Sequence, residues 1–142
     1  MNEATNETTK LFSAIAAAYA RHRITYPAAF LDAFLGHLIS NPLVWECGCG
    51  CGCGLDNASV DGVLVAAAVH WFAGDAFNTE VRRVCKSGAV VAWIGYLPLR
   101  LADQRLQSSL DAFHSVTLAP WWPAERRWVE QSYAGLAFPA EE

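Results

Sequence analysis

Residues 60–96 read VDGVLVAAAVHWFAGDAFNTEVRRVCKSGAVVAWIGY. Val60 to Val69 is apolar nearly throughout, as expected of a strand covered on both faces. Asp75 can cap a helix in which Phe77, Val81 and Val84 share one face. Lys86-Ser87-Gly88 then supplies the cation and the glycine that helix C-termini favour. Ala89 to Tyr96 is apolar again and reads as a strand. Strand, helix, strand in that order is a βαβ unit, so the two strands should run parallel with a right-handed crossover.

Outward on the N-terminal side, Leu43-Val44-Trp45 is a short buried-strand candidate. Before it, Thr9 to Arg21 has helical spacing in Leu11, Ile15 and Ala18. A second helix starts at Tyr26-Pro27, carries Phe30, Leu31, Phe34, Leu35 and Leu38 as its apolar stripe, and should end at Asn41-Pro42. On the C-terminal side, helices are expected over Leu101 to Phe113 and Ala124 to Tyr133, separated by the rigid loop Pro120-Trp121-Trp122-Pro123. The sequence thus predicts one α/β domain over residues 1–142. Its parts are N-terminal cap helices over 1–42, a sheet core over 43–96 and C-terminal helices over 97–142. The expected sheet order is 43–47, 60–69, 89–96.

The chain of 142 residues is 54% hydrophobic and 17% charged, which places it among globular rather than disordered sequences. Its formal net charge of −4 argues against a nucleic-acid partner, which is usually met by a basic patch. The longest apolar run, Val63 to Val69, is too short to span a bilayer, so no membrane association is expected. The N-terminus has neither a basic start nor an apolar core segment, so it does not read as a signal peptide and a cytoplasmic location is expected. Its five cysteines would then stay mostly reduced.

Glu46-Cys47-Gly48-Cys49-Gly50-Cys51-Gly52 follows the first strand. An acidic residue and then alternate glycines is a nucleotide-loop pattern, because glycines let the backbone turn sharply and approach a ligand closely. Glu46, Gly48, Gly50 and Gly52 are therefore candidate cofactor-binding residues. The same stretch admits a metal reading, since Cys47, Cys49, Cys51 and Cys53 are soft ligands suited to Zn(II) or Cu(I). Structural zinc sites, however, usually separate paired cysteines by two to four residues. An extended run would also put all four thiols on one face. Reduced, metal-free cysteines are the expectation. His70 and Trp71 fall at the C-terminal end of a parallel strand, where open α/β sheets bind ligands. They are candidate substrate-binding residues, with His70 as a possible catalytic base. Tyr19 and Tyr26 are candidates for capping the same pocket, although aromatics on amphipathic helices more often serve the core.

Several segments, in order, resemble class I S-adenosylmethionine-dependent methyltransferases. Glu46-x-Gly48-x-Gly50-x-Gly52 is similar to their first motif, and Leu55 to Val63 to their fourth. Ala68-Val69-His70-Trp71-Phe72 resembles the end of the fourth strand in the branch of trans-aconitate and ubiquinone-biosynthesis methyltransferases. Glu80 to Val90 resembles the next helix, turn and fifth strand, with Ser87 in place of the usual Pro or Gly. Phe12, Tyr19, Arg21, Arg23, Tyr26 and Pro27 resemble the family's N-terminal cap. Trp121 to Arg127 and Tyr133 to Glu142 resemble a stretch beyond the fifth strand.

The resemblance implies a truncated Rossmann-like fold with a small parallel sheet flanked by helices, and S-adenosylmethionine as cofactor. It also implies losses. Between Gly54 and Leu55 the family has two further strands with their helices, which carry the ribose-binding acid and the adenine contacts. A charge-assisted contact of that kind contributes roughly 1.5–3 kcal/mol, so its loss costs about ten- to a hundredfold or more in affinity. A protein derived from a small-molecule methyltransferase, with impaired methyl transfer and another ligand, reaction or partner, is the expectation. The alternatives are an active methyltransferase completed by oligomerisation and a thiolate metal binder. The missing neighbour of the first strand leaves a sheet edge, and exposed edges invite pairing with another chain. A homodimer is therefore expected, with exchange of the first strand through the glycine-rich linker as one route and Trp121, Trp122 and Trp128 as contributors.

Overall fold

A computed structural model describes residues 21–22, 25–48 and 54–140. The chain divides into two units, Met1–Leu35 and Gly36–Glu142. In the first, helix α1 (Ala28–Leu35) carries a buried Phe34, and Tyr26 lies tilted against Phe30 with ring centroids 6.3 Å apart. α1 stops short of the expected Asn41-Pro42 because Gly36 follows directly, and a glycine costs a helix about 1 kcal/mol relative to alanine. Apart from Arg21, the helix expected over Thr9 to Arg21 lies outside the described residues.

The second unit is built on a three-stranded parallel sheet: β1 (Val44–Glu46), β2 (Val60–Ala66) and β3 (Cys85–Ile94), in the order β1-β2-β3. This is a small Rossmann-like α/β fold, with the strand order expected from the sequence. β2 is central, and Val60, Val63 and Val65 are fully buried, which explains its unbroken apolar run. Helix α2 (Asp75–Val84) crosses between β2 and β3. Its buried Phe77, Asn78, Val81 and Val84 follow the spacing of one helix face. With Cys47, Ala68 and Val69, the apolar three, Phe77, Val81 and Val84, close the core around β2. Phe77 is wedged between Trp45, at 6.2 Å, and Phe72, at 4.9 Å.

Polar side chains fix the entry to the sheet. Leu43 N–H donates to Asp61 Oδ2 at 2.9 Å, and Lys86 Nζ donates to Asp61 Oδ1 at 2.8 Å. One carboxylate on β2 thus ties the approach to β1 to the start of β3. Arg83 clamps the loop ahead of β2: it donates to Asn57 Oδ1 at 2.6 Å and to Leu55 O at 2.8 Å while paired with Glu80. The C-terminal segment is strapped over α2 and β3. Asn78 Nδ2 donates to Ala137 O at 2.9 Å, Arg82 Nε donates to Pro139 O at 3.0 Å, and Phe138 meets Trp93 edge-on at 4.7 Å.

Element ends differ from the sequence reading in instructive ways. Gly74, not Asp75, occupies the N-cap of α2, and Asp75 sits in the first turn. α2 ends at Val84, and Lys86-Ser87-Gly88 already belongs to β3. Gly88 uses its φ of +78° inside the strand, where the pairing register shifts between Val60 and Gly62, rather than at a helix end. Helix α3 (Gln104–Ala112) starts later than Leu101 because Asp103 caps it, accepting from Arg105 N and Leu106 N at 2.8 and 3.0 Å. It runs into a π-helical turn at Phe113–Thr117 and a 3-10 turn at Ala119–Trp121. Helix α4 is only Arg126–Glu130, because Ser132 and Tyr133 both take left-handed φ, +53° and +62°. Among the described residues no helix is long and apolar enough to cross a membrane.

Candidate functional site

The carboxyl ends of the three strands bring their following residues to one edge of the sheet, and each sequence-predicted residue can be placed there or elsewhere. Glu46 closes β1 and is exposed. Cys47 follows, buried, its N–H donating to Leu64 O at 2.9 Å. Gly48 opens the loop, and an added β-carbon would meet only the Glu46 carboxylate at ordinary contact, 3.8 Å. Gly50 and Gly52 lie outside the described residues, as do Cys49, Cys51, Cys53 and Tyr19. Among the described residues no group of three His, Cys, Asp or Glu is placed to hold a metal ion. Tyr26 belongs to the N-terminal unit.

After β2 the chain bends at Ala67, φ +49°, into a 3-10 turn at Val69–Trp71. Val69 is buried as an anchor, which leaves His70 half-buried and Trp71 at the surface, their rings 4.8 Å apart. Burial holds the His70 imidazole below its ordinary pKa, and the Glu125 carboxylate pulls weakly the other way. His70 Nδ1 is buried and has no hydrogen-bond partner among the described residues. The neutral ring is therefore favoured near pH 7.

Sequence reasoning missed the residue stacked on it. Tyr133 lies nearly parallel to His70, with centroids 6.2 Å apart and planes 13° from each other. Its hydroxyl would sit 2.6 Å from a β-carbon on Gly95, immediately past β3, so only glycine admits the ring there. The left-handed turn at Ser132 and Tyr133 aims the ring inward. That turn is braced by Tyr133 N–H to Trp128 O at 2.6 Å and Ser132 N–H to Val129 O at 3.0 Å. Such a pairing joins residues far apart in sequence and carries no local signature.

Two of the cavities lined by described residues lie at or beyond the end of β3. One, of about 250 Å³, is lined by Trp93, Gly95, Tyr96, Leu97, Val129, Ser132 and Tyr133. The other is an open groove of about 710 Å³ between the π-helical turn and α4, walled by Trp122 and carrying Arg100, Arg126 and Arg127. There Arg126 stacks on Trp122 at 3.7 Å and pairs with Glu130 at 3.0 Å, so its charge is largely spoken for.

No protein-family model matches the chain, and no curated protein does. A solved structure from Anaeromyxobacter dehalogenans, described as a "putative type II methyltransferase", is 29% identical, with a TM-score of 0.65 over 82% of this chain and 67% of that one. The fold is methyltransferase-like. On that methyltransferase-like fold, Glu46 and Gly48 stand at the end of β1, and His70 and Trp71 stand beyond β2. The described part of the loop supplies the start of a glycine-rich turn. The described residues between Gly54 and Ser59 form no strand that would carry a ribose-binding acid.

Proposed function

We propose that this chain derives from a small-molecule S-adenosylmethionine-dependent methyltransferase and that its own methyl transfer is lost or impaired. The observation that carries the reading is the likeness, 29% identical over 82% of the chain, to the methyltransferase-like structure. The motif order of the trans-aconitate and ubiquinone-biosynthesis branch supports it further. Glu46 and Gly48 would meet the methionine end of the cofactor, with Gly50 and Gly52 completing the loop. The cofactor would supply an electrophilic methyl group. His70, neutral near pH 7, would hold or accept a proton from the acceptor, beside Trp71.

The resemblance supports impairment, because the segments with which the family contacts ribose and adenine would fall between Gly54 and Leu55, which adjoin in this sequence. A glycine loop alone leaves most of the cofactor's polar surface without designed partners. Equilibrium titration with S-adenosylmethionine tests the reading. Weak or undetectable binding is expected. Tight stoichiometric binding with methyl transfer to a small acceptor would replace it with an active enzyme.

A further inference from the structure

Residues 132–139 carry the chain back over α2 and β3 with little buried area of their own. Pro139 is buried and Tyr133 and Leu136 are half-buried, but Ala134, Gly135, Ala137 and Phe138 are exposed. The side chains that tie this segment down are Asn78, whose Nδ2 donates to Ala137 O, and Arg82, whose Nε donates to Pro139 O. Phe138 adds its edge contact with Trp93, and Leu136 packs against the core. Segments with few buried apolar contacts open locally, at a fraction of the cost of global unfolding.

The closed position also carries costs. Ser132 and Tyr133, adjacent and neither of them glycine, hold φ of +53° and +62°. Such strain persists only where surrounding contacts impose it, and it relaxes when they break. The side chains this segment touches contain buried polar atoms with nothing to bond. His70 Nδ1 lies on the ring that Tyr133 covers, Asn78 Oδ1 on the carboxamide that holds Ala137, and Trp93 Nε1 on the indole that meets Phe138. Each is buried with no hydrogen-bond partner among the described residues. Buried polar groups are nearly always paired, and one left unpaired forfeits the bonds it had with water. Strain and desolvation therefore both work against closure.

We propose that residues 132–139 form a strap that opens as a unit, hinged at Ser132 and Tyr133, and lifts the Tyr133 ring off His70. Closed, the strap covers the candidate site beyond β2; open, it uncovers the His70 ring. That an acceptor molecule enters through this opening rests on the methyltransferase reading. The opening itself does not, so its failure and the failure of that reading are separate results.

The test is native-state hydrogen exchange of the full chain, followed by NMR at rising low concentrations of denaturant. The strap reporters are the Trp93 indole N–H and the backbone amides of Tyr133 and Leu136, which donate to Trp128 O and Tyr133 O. The amide of Val63, buried on β2, is the core reference. The strap reporters are expected to be protected, to exchange together at least about a hundredfold faster than Val63, and to be insensitive to low denaturant. Val65→Ala, in the core, should speed Val63 and leave the strap reporters unchanged. Phe138→Ala should speed Tyr133 and Leu136 about tenfold. Strap reporters that follow Val63 in rate and denaturant dependence overturn the proposal, as does a Trp93 indole without protection. So does a Tyr133 amide that stays with Val63 while Trp93 and Leu136 open, because His70 then remains covered. An unchanged rate in folded Phe138→Ala counts equally against it. The wild-type comparison decides the matter even if either variant fails to fold.

Discussion

The ring of Tyr133 covers the imidazole of His70 nearly in parallel, at 6.2 Å and 13°. The contact helps to exclude water from a histidine whose Nδ1 is already buried, with no hydrogen-bond partner among the described residues. Exclusion of water disfavours the charged imidazolium, which accounts for the lowered pKa.

Removing that cover should therefore move the titration in a known direction. In Tyr133→Ala the His70 pKa should rise toward the ordinary 6.5, whereas Tyr133→Phe, which keeps the ring, should leave it low. Glu125→Gln should lower it further, because that carboxylate raises it. For a histidine with a depressed folded pKa, the unfolded chain takes up the proton first. Stability present at neutral pH is thus lost as pH falls through 6.5 toward the folded value. Histidine NMR titration of the three variants checks the order. An unchanged His70 in Tyr133→Ala would remove the stacking account.

Asp61 gives a second pH-dependent effect of separate origin. The hydrogen bond from Lys86, then that from Leu43 N–H, holds its carboxyl below the ordinary 3.8. Its contribution is fully present above pH 3.8 and disappears as pH falls through the lower folded value. Asp61→Asn should therefore melt at lower temperature than wild type at pH 7. The two curves should converge in strong acid, and a gap that persists there would mean the carboxylate is not the cause.

Phe77 is 2% exposed and touches both Trp45 and Phe72, so it links β1 to the turn after β2 through α2. Phe77→Ala should cost about 3–5 kcal/mol, the usual range for emptying a buried phenylalanine site. Domains of this kind have about 5–15 kcal/mol in total. Chemical denaturation should accordingly find the variant marginal or unfolded at room temperature, and a loss below about 1 kcal/mol would show that the site collapses or is poorly packed.

The part of this architecture legible in the sequence was the part written in periodicity. Apolar runs at Val60 and Ala89 around the amphipathic Phe77, Val81 and Val84 specify a βαβ unit whatever else surrounds it. The ends were less legible, because they depend on competition between neighbours. Gly88 looks like a helix stop, yet the helix has already yielded to β3 at Cys85, where pairing with Val60 is available. Tyr133 looked like the last residue of a helix. Its left-handed turn is favoured by contacts with His70 and Gly95, more than thirty residues away on either count. Position at the end of a strand was enough to single out His70 and Trp71, but nothing local could reveal what covers them.

The final prediction concerns assembly. β1 pairs with β2 on one side, and among the described residues no strand pairs with its other side. Its residues, Val44, Trp45 and Glu46, include no lysine or proline of the kind that guards edges. A second uncovered surface runs from α3, which has no buried residue, to the 3-10 turn after it. Leu106 is 59% exposed, Val116 71% and Trp121 81%, an amount of bare apolar side chain that monomers rarely gather in one stretch. Trp122 is better sheltered beneath Arg126, and Trp128 packs against Arg127 at 4.6 Å, so Trp121 is the tryptophan with most area left to bury. A homodimer that covers these faces is expected. Light scattering at low micromolar concentration should give twice the mass of the 15.5 kDa chain. Trp121→Glu, which places a charge where an aromatic anchor is lost, should weaken the dimer at least about tenfold. A folded wild-type monomer at that concentration would refute the assembly, since both uncovered faces would then be stable in water.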